Sequence, residues 1–496
     1  MSQLSTGSRV GIIAVLSLVL SASEGTAQSA GGMAKVPVTT ASSAAREQYL
    51  KGRTLGENLR AHDSRQFLEA AAAKDPSFAL AHYSLALTAP TAKDFFTHLA
   101  EAVRLAGKAS DGERLMILGL QAGANANTKS QREYYERLVA AYPRDERAHF
   151  LLGGAYFGQQ EYVKAVSEYQ KSVDLAPDYA PAYNLLGYAR RAEGEFPEAE
   201  VAFKKYIELI PNDPNPYDSY AELLMKMGRF DESIAMYRKT LQIDPNFANS
   251  HFGIASNLMF LGKHEAARAE SWKLQEAARN DGDRRLALFS TAVTYADEGN
   301  YDQAVKELRR EYAVAEKIND AAAMSADLTA IGDVLLEAGK PQEAQREYDR
   351  AQELQEKSDL SSEVKENARL VHHYNLGRVA ARSGDYAAAK GHADVFLKGA
   401  VAKKNDGQIR LAHELAGTIA LGEKNNARAV EELKLGNQQD PYTLYRLGLA
   451  YQGKGEQAKA AELFEQAANQ NTLPTLNYAF VRQKAKRMNG LRQNQI

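Results

Sequence analysis

The sequence predicts an all-α fold, an α–α superhelix of about twelve stacked helix pairs that takes up nearly all of a 496-residue chain. Three observations predict it. Four prolines, Pro143, Pro177, Pro211 and Pro245, stand 34 residues apart. Small residues keep the same interval at Gly119, Gly153, Gly187, Ala221 and Ala255, and again at Ala165, Ala199, Ser233 and Ala267. Aromatics keep it at Tyr169, Phe203 and Tyr237 before lapsing at Ser271, and at Tyr162, Phe196 and Phe230 before lapsing at His264. Coincident ladders of different residue types mark one supersecondary unit laid end to end.

Taken in order, residues 1–27 read as a secretory signal peptide. Residues 10–22 (VGIIAVLSLVLSA) form an apolar run of 13, short of the about 20 that a spanning helix needs. Small residues precede Gln28 at the positions a signal peptidase requires, so cleavage is expected after Ala27, leaving no integral span. An uncleaved anchor is the alternative. The expected location is periplasmic or secreted, in a bacterium. Residues 28–43, small, polar and interrupted by Gly and Pro, read as a flexible leader.

Residues 44–279 read as an array with the 34-residue period. In the unit 147–177, HFLLGGAYFG has helical apolar spacing, a Gln/Gly break follows, and EYVKAVSEYQKSVDLA supplies a second helix that Pro177 closes. Gly153 and Ala165 let the paired helices approach, and Tyr169 is expected to fill the gap toward the following unit. Such a pair cannot bury its apolar face alone and must stack. A glycine also falls seven residues after seven of the small anchors, at Gly194, Gly228, Gly262, Gly299, Gly339, Gly384 and Gly455, where a helix end calls for a left-handed residue. The anchors themselves run Gly52, Ala86, Gly119, Gly153, Gly187, Ala221, Ala255, Ala292, Gly332, Gly377, Gly417 and Gly448.

After Ala255 the anchor spacing widens to 37, 40, 45 and 40 residues and then narrows to 31. Residues 280–471 therefore read as a second array with longer repeats, and Asn280-Asp281-Gly282-Asp283 as the bend between the two. Residues 472–496 read as a capping helix, over 473–488, and a basic tail. Its cations Arg482, Lys484, Lys486, Arg487 and Arg492 are expected to face solvent, with contact to an anionic surface as the alternative.

The Leu-Gly pairs (Leu186-Gly187, Leu376-Gly377, Leu447-Gly448), the second-helix Ala and aromatic (Ala199/Phe203, Ala344/Tyr348, Ala460/Phe464) and the closing prolines resemble the tetratricopeptide repeat family. The family's first-helix Trp is replaced by His149, Tyr183, Tyr217 and His251, and the sole tryptophan, Trp272, lies in a second helix. The resemblance implies a superhelix whose concave wall, lined by first helices, binds peptides or extended protein segments.

Composition and motifs narrow the chemistry. Lys+Arg 61 against Asp+Glu 63 gives a net charge of −2, which argues against a dedicated nucleic-acid binder. With no cysteine, disulfides, thiolate metal sites and a Cys nucleophile are excluded. Gly107-Lys108-Ala109-Ser110 lacks the earlier glycine of a phosphate loop, and His264-Glu265-Ala266-Ala267-Arg268 misses the second His of a zinc-protease helix. The adjacent His372 and His373 read as one packed and one exposed residue. No catalytic residue, cofactor or metal is expected, and the protein reads as a non-enzyme.

Counting from the anchors places Phe150, Asn184, Tyr188, Arg191, Asp218, Glu222, Met225, Phe252, Ser256 and Met259 on the concave wall. This mixture of aromatic, thioether and polar groups suits a peptide partner, a basic or neutral one at the Asp218/Glu222 end. The plainer alternative is ordinary wall packing with no ligand. The function expected is an exported scaffold for protein or peptide partners. A ligand-sensing or signalling module is the alternative, and an envelope enzyme on a helical array the more distant one.

Overall fold

The computed structural model describes residues 35–493, apart from 359 and 361. The residues read as a signal peptide, 1–27, and most of those read as a leader lie outside the described residues. Twenty-five α-helices follow one another, and no strand occurs among the described residues.

The helices pair antiparallel in sequence order. The first six pairs are α1 (Ser43–Glu57) with α2 (Ala61–Lys74), α3 (Ala79–Leu87) with α4 (Ala92–Leu105), α5 (Asp111–Ala124) with α6 (Thr128–Ala141), α7 (Glu146–Gly158) with α8 (Tyr162–Leu175), α9 (Ala180–Glu193) with α10 (Phe196–Leu209), and α11 (Asn215–Lys226) with α12 (Phe230–Ile243). The next six are α13 (Ala248–Phe260) with α14 (His264–Ala277), α15 (Asp281–Glu298) with α16 (Tyr301–Lys317), α17 (Ala321–Glu337) with α18 (Pro341–Lys357), α19 (Ser362–Arg382) with α20 (Tyr386–Ala402), α21 (Asp406–Gly422) with α22 (Asn426–Lys434), and α23 (Pro441–Gly453) with α24 (Gln457–Ala468). A last helix, α25 (Leu476–Gln493), stands alone. All twelve anchors lie on the first helix of a pair. The wider spacing after Ala255 is taken up by helix length: α7 to α14 run 12–14 residues, α15 to α21 run 17–21.

Each ladder has a structural counterpart. A side chain sixteen residues after the anchor lies across the anchor of its own pair. A Cβ on Gly153 would come 2.7 Å from the Tyr169 ring, one on Gly187 2.8 Å from Phe203, and one on Gly448 2.7 Å from Phe464. Tyr169 shares a hydrophobic cluster with Tyr179, Ala182 and Leu186 of the following unit, as the sequence led us to expect, and it also seals its own pair. The reason for the seal is close approach at a glycine, which leaves a ring-sized hollow inside the pair. All seven turn glycines have positive φ, from 74° to 82°. In four other units the same position carries Leu59, Ala126, Gln160 or Lys424, also at positive φ.

The residues that replace Trp act as turn staples. The His149 Nε2–H donates to the Pro143 carbonyl (3.0 Å), His251 Nε2–H to Pro245 (3.1 Å) and the Tyr217 hydroxyl to Pro211 (3.0 Å), in each case six residues back. Their other side ties the two helices of a pair: His149 Nδ1 lies 2.6 Å from Glu168, His251 Nδ1 2.7 Å from Glu270 and His413 Nδ1 2.8 Å from Glu432. In the tenth pair a histidine takes the glutamate's place, and His373 Nδ1 lies 3.0 Å from His392 Nδ1. Both His372 and His373 are half-buried, so the split into one packed and one exposed residue does not occur. His372 sits 3.2 Å from Asp349 on the neighbouring pair.

The superhelix is wound so tightly that its second turn touches its first. The Lys93 amide donates to Asp320 (3.1 Å), Asn405 Nδ2 to the Ala126 carbonyl (2.8 Å), Gln160 Nε2 to Asn437 (2.9 Å) and Lys226 Nζ to the Gln470 carbonyl (2.9 Å). A Cβ on Gly282 would meet the Pro90 carbonyl at 2.5 Å, so the expected bend is where the turns make contact. The leader read as flexible is pinned where it is described. The Val36 amide donates to Asp145 (2.7 Å), the Thr39 amide to Glu113 (2.7 Å) and the Thr40 hydroxyl to Asp75 (2.5 Å).

Candidate functional site: an inner wall covered by the chain's own C-terminal helix

The ten residues expected on the wall fall on α7, α9, α11 and α13, the first helices of four successive pairs. Phe150, Tyr188 and Arg191 are half-buried, and the other seven are buried. Phe150 packs against Tyr169 and Tyr179, ring centroids 6.0 and 5.6 Å away. Arg191 lies over the Tyr188 ring at 4.6 Å, and Glu222 from the next first helix accepts from both, 3.2 Å from Arg191 and 3.0 Å from the Tyr188 hydroxyl. Asn184 is buried beside them on α9.

Asp218 accepts the Ser250 hydroxyl at 2.6 Å. Burial, with Glu222 close by, pushes its carboxyl well above the usual range. This end of the wall is therefore not the exposed anionic surface that the sequence reading took it to be. Glu222 pairs with Arg191, and the Asp218 carboxyl is the one whose burial favours the protonated form. Lys226, pulled down to about 8 by burial and then by Arg191, completes this polar layer.

Met225 and Met259 belong to the largest hydrophobic cluster, which they share with Leu476, Tyr478, Ala479, Phe480 and Val481 of α25. Phe252 packs with Leu274 and Ala287, and Leu473 from the link to α25 lies against that group. The Ser256 hydroxyl turns back to the Phe252 carbonyl (2.6 Å).

The C-terminal helix is thus not the outward-facing cap that its cations suggested. Arg482 is 1% exposed. Its Nε lies 2.8 Å and its Nη2 2.5 Å from the carboxylate of Asp297 on α15, and it also donates to the Met259 and Phe260 carbonyls of α13 at 3.0 and 3.3 Å. Those carbonyls close the last turn of α13, the end of a helix that favours a cation. Lys484 pairs with Glu337 of α17, and Asn477 donates to Asp440 at the head of α23 (2.8 Å). Tyr478 stacks edge-on against Phe260 (5.3 Å) and Phe480 against Tyr301 (6.2 Å). Lys486 and Arg487 do reach solvent, and Arg492 lies outside the residues whose side chains are described.

Sequence reasoning missed Asp297, Glu337 and Asp440 as partners of the C-terminus. A signal was present: Tyr478, Ala479, Phe480 and Val481 are consecutive apolar residues in a helix, which leaves no room for a polar face. Among the described residues, no three His, Asp or Glu side chains group to hold a metal ion, and no helix is long and apolar enough to cross a membrane.

Family models described as tetratricopeptide repeat match residues 124–180 and 329–400, residues 180–213 and 215–247, and residues 442–471. No curated protein matches the chain. Similar solved structures include MamA, 24% identical over 32% of this chain and 93% of that one, with a TM-score of 0.28. The TPR protein TTC0263 from Thermus thermophilus is 25% identical over 44% of this chain and 100% of its own, with a TM-score of 0.28. YrrB, described as a TPR protein with an unusual peptide-binding site, is 17% identical over 39% and 96%, with a TM-score of 0.25. Residues 124–213, 215–247, 329–400 and 442–471 are thus tetratricopeptide repeats, and the helix pairs between and before them repeat the same anchor and turn pattern.

Proposed function

We propose that this protein is an exported, non-catalytic scaffold that holds a partner protein along the first-helix wall of its superhelix. Tetratricopeptide repeat proteins are protein-interaction scaffolds. The observation that carries the reading here is that the wall already grips a helix. First helices α13, α15, α17 and α23 meet α25 with aromatic contacts and three charged or polar pairs, and the second helix α24 packs along it. Surfaces that do this for a segment of their own chain have the chemistry to do it for another. Export is supported by the apolar run at 10–22 and the small residues that follow it.

Photo-crosslinking in intact cells tests both parts. A benzoylphenylalanine placed at Phe150 or Tyr188, on the half-buried stretch of wall, is expected to yield a discrete partner adduct in the periplasmic or secreted fraction. The same probe at Val163 or Val201, 69% and 70% exposed on second helices, is expected to yield none. Adducts confined to the second-helix positions would refute the wall as the binding surface. A chain found wholly in the cytosol with residues 1–27 intact would refute export.

A further inference from the structure

Five consecutive residues of α25, Tyr478 to Arg482, are each at most 3% exposed. Five residues exceed one helical turn, so this stretch has no solvent face. One turn later Lys486 and Arg487 emerge. A link of seven residues, 469–475, joins the helix to α24. The enclosure is one-sided in charge. The wall presents Asp297, Glu337 and Asp440, and the helix answers with Arg482, Lys484 and the amide of Asn477. The Tyr442 hydroxyl, donating to Glu337 at 2.5 Å, holds that carboxylate in place. Removing the helix would take the two-point guanidinium contact from Asp297, whose side chain is now fully buried, and leave it His264 alone, which is costly unless another cation replaces Arg482.

We propose that the wall formed by α13, α15, α17 and α23 is a binding site for a short basic helix of a partner protein, one that presents aromatic and aliphatic anchors and an arginine for Asp297, and that α25 is the resident occupant which this partner displaces. The proposal rests on the scaffold reading above and names the class of partner. Apolar anchors supply the affinity, and the buried carboxylate supplies the selection, since a helix without the arginine leaves it only His264 as a partner. Lys484, whose side chain is 37% exposed, is the rim contact through which the resident helix can be loosened without opening the core.

The probe is a synthetic peptide of residues 473–488, added to the full-length protein. The chain has no cysteine, so Asn489→Cys alone can carry a fluorophore that reports the position of α25. The peptide is expected to bind one to one and to shift the label. The Lys484→Glu chain, which sets a like charge against Glu337, is expected to bind it at least tenfold more tightly than wild type. An Arg482→Ala peptide is expected to bind at least tenfold more weakly than the parent, and that difference is expected to vanish on an Asp297→Ala chain, with Asp297→Asn standing in where Asp297→Ala does not fold. Equal binding of the two peptides overturns the proposal. So does a Lys484→Glu chain that frees its label yet takes up no peptide, and so does one that holds α25 as firmly as wild type, since the helix is then core and not ligand. Partner adducts at Phe150 or Tyr188 alongside any of these failures leave the scaffold reading standing, so the two ideas fall separately.

Discussion

The guanidinium of Arg482 and the carboxylate of Asp297, 185 residues apart, meet in a two-point ion pair where neither side chain is more than 2% exposed. His264 and Gln483 also reach the same carboxylate, at 2.8 and 3.3 Å. Together these contacts hold the Asp297 carboxyl below its ordinary range against the opposing effect of burial. Breaking a buried pair from one side leaves a charge uncompensated. Asp297→Ala is therefore expected to cost about 3–5 kcal/mol in denaturant unfolding. Hydrogen exchange is expected to show the loss first in α25 and at the end of α13.

The hollow above Gly187 is sized for the Phe203 ring. A Cβ there would stand 2.8–2.9 Å from three ring carbons, and Phe203 is fully buried with nowhere to go. Gly187→Leu is expected to destabilise the protein by about 1–3 kcal/mol or more through overpacking. An unchanged thermal melt would contradict the helix pairing described above.

Lys424 occupies the left-handed turn position at φ 62° that glycine fills in seven other units, and its side chain is exposed. A side chain in that conformation costs about 1–2 kcal/mol. Lys424→Gly is expected to recover about 1 kcal/mol after the extra chain entropy of glycine is subtracted. Equilibrium denaturation of the two proteins checks the sign.

Two histidines, His149 buried and His373 half-buried, set opposite pH dependences. The His149 imidazole is raised, chiefly because it hydrogen-bonds Glu168. It adds stability that is fully present below about pH 6.5 and is lost as the pH climbs through its folded value. The His373 imidazole is lowered, by burial and then by His392. It removes stability as the pH falls below about 6.5. Histidine ring NMR is expected to find His149 titrating above His373, and the order is expected to reverse in no state of the folded protein.

The raised Asp218 carboxyl behaves as a proton holder. Stability that depends on its protonated form is complete at acid pH and declines as the pH rises through its folded value. Asp218→Asn keeps an oxygen for the Ser250 hydroxyl and removes the titration. The variant is expected to gain on wild type as the pH is raised from 5 to 8 and to lose that advantage at the acid end, as read by denaturant midpoints at each pH.

The helix pairs were legible because their determinants are local and recur. The anchor at Gly187, the ring of Phe203 and the turn at Gly194 lie within one unit, and the rule that joins them appears again around Gly153, Gly332 and Gly448. The staples at His149 and His251 were visible only as substitutions for Trp, since the proline carbonyls they reach depend on the turn geometry between units. The ten positions fall on the first helices α7, α9, α11 and α13, but their burial was not legible. It depends on how far one unit rotates against the next and on α25 returning from the far end of the chain. A small change in that rotation, summed over seven or eight pairs, decides whether Lys93 can touch Asp320 at all. Reading Arg482 and Lys484 as a solvated face failed for the same reason, because a cation is costly to bury only until a carboxylate such as Asp297 is found for it.

The contacts from Lys93 to Asp320, Ala126 to Asn405 and Gln160 to Asn437 advance together along both turns. A repeat array is ordinarily an open-ended ruler, to which a unit can be added or from which one can be removed with a nearly constant change in stability. Here the coil is riveted to itself like a spring soldered at several points. Excising any single pair between the two turns would throw every rivet out of step by one unit, so the number of repeats in this chain is fixed by its geometry.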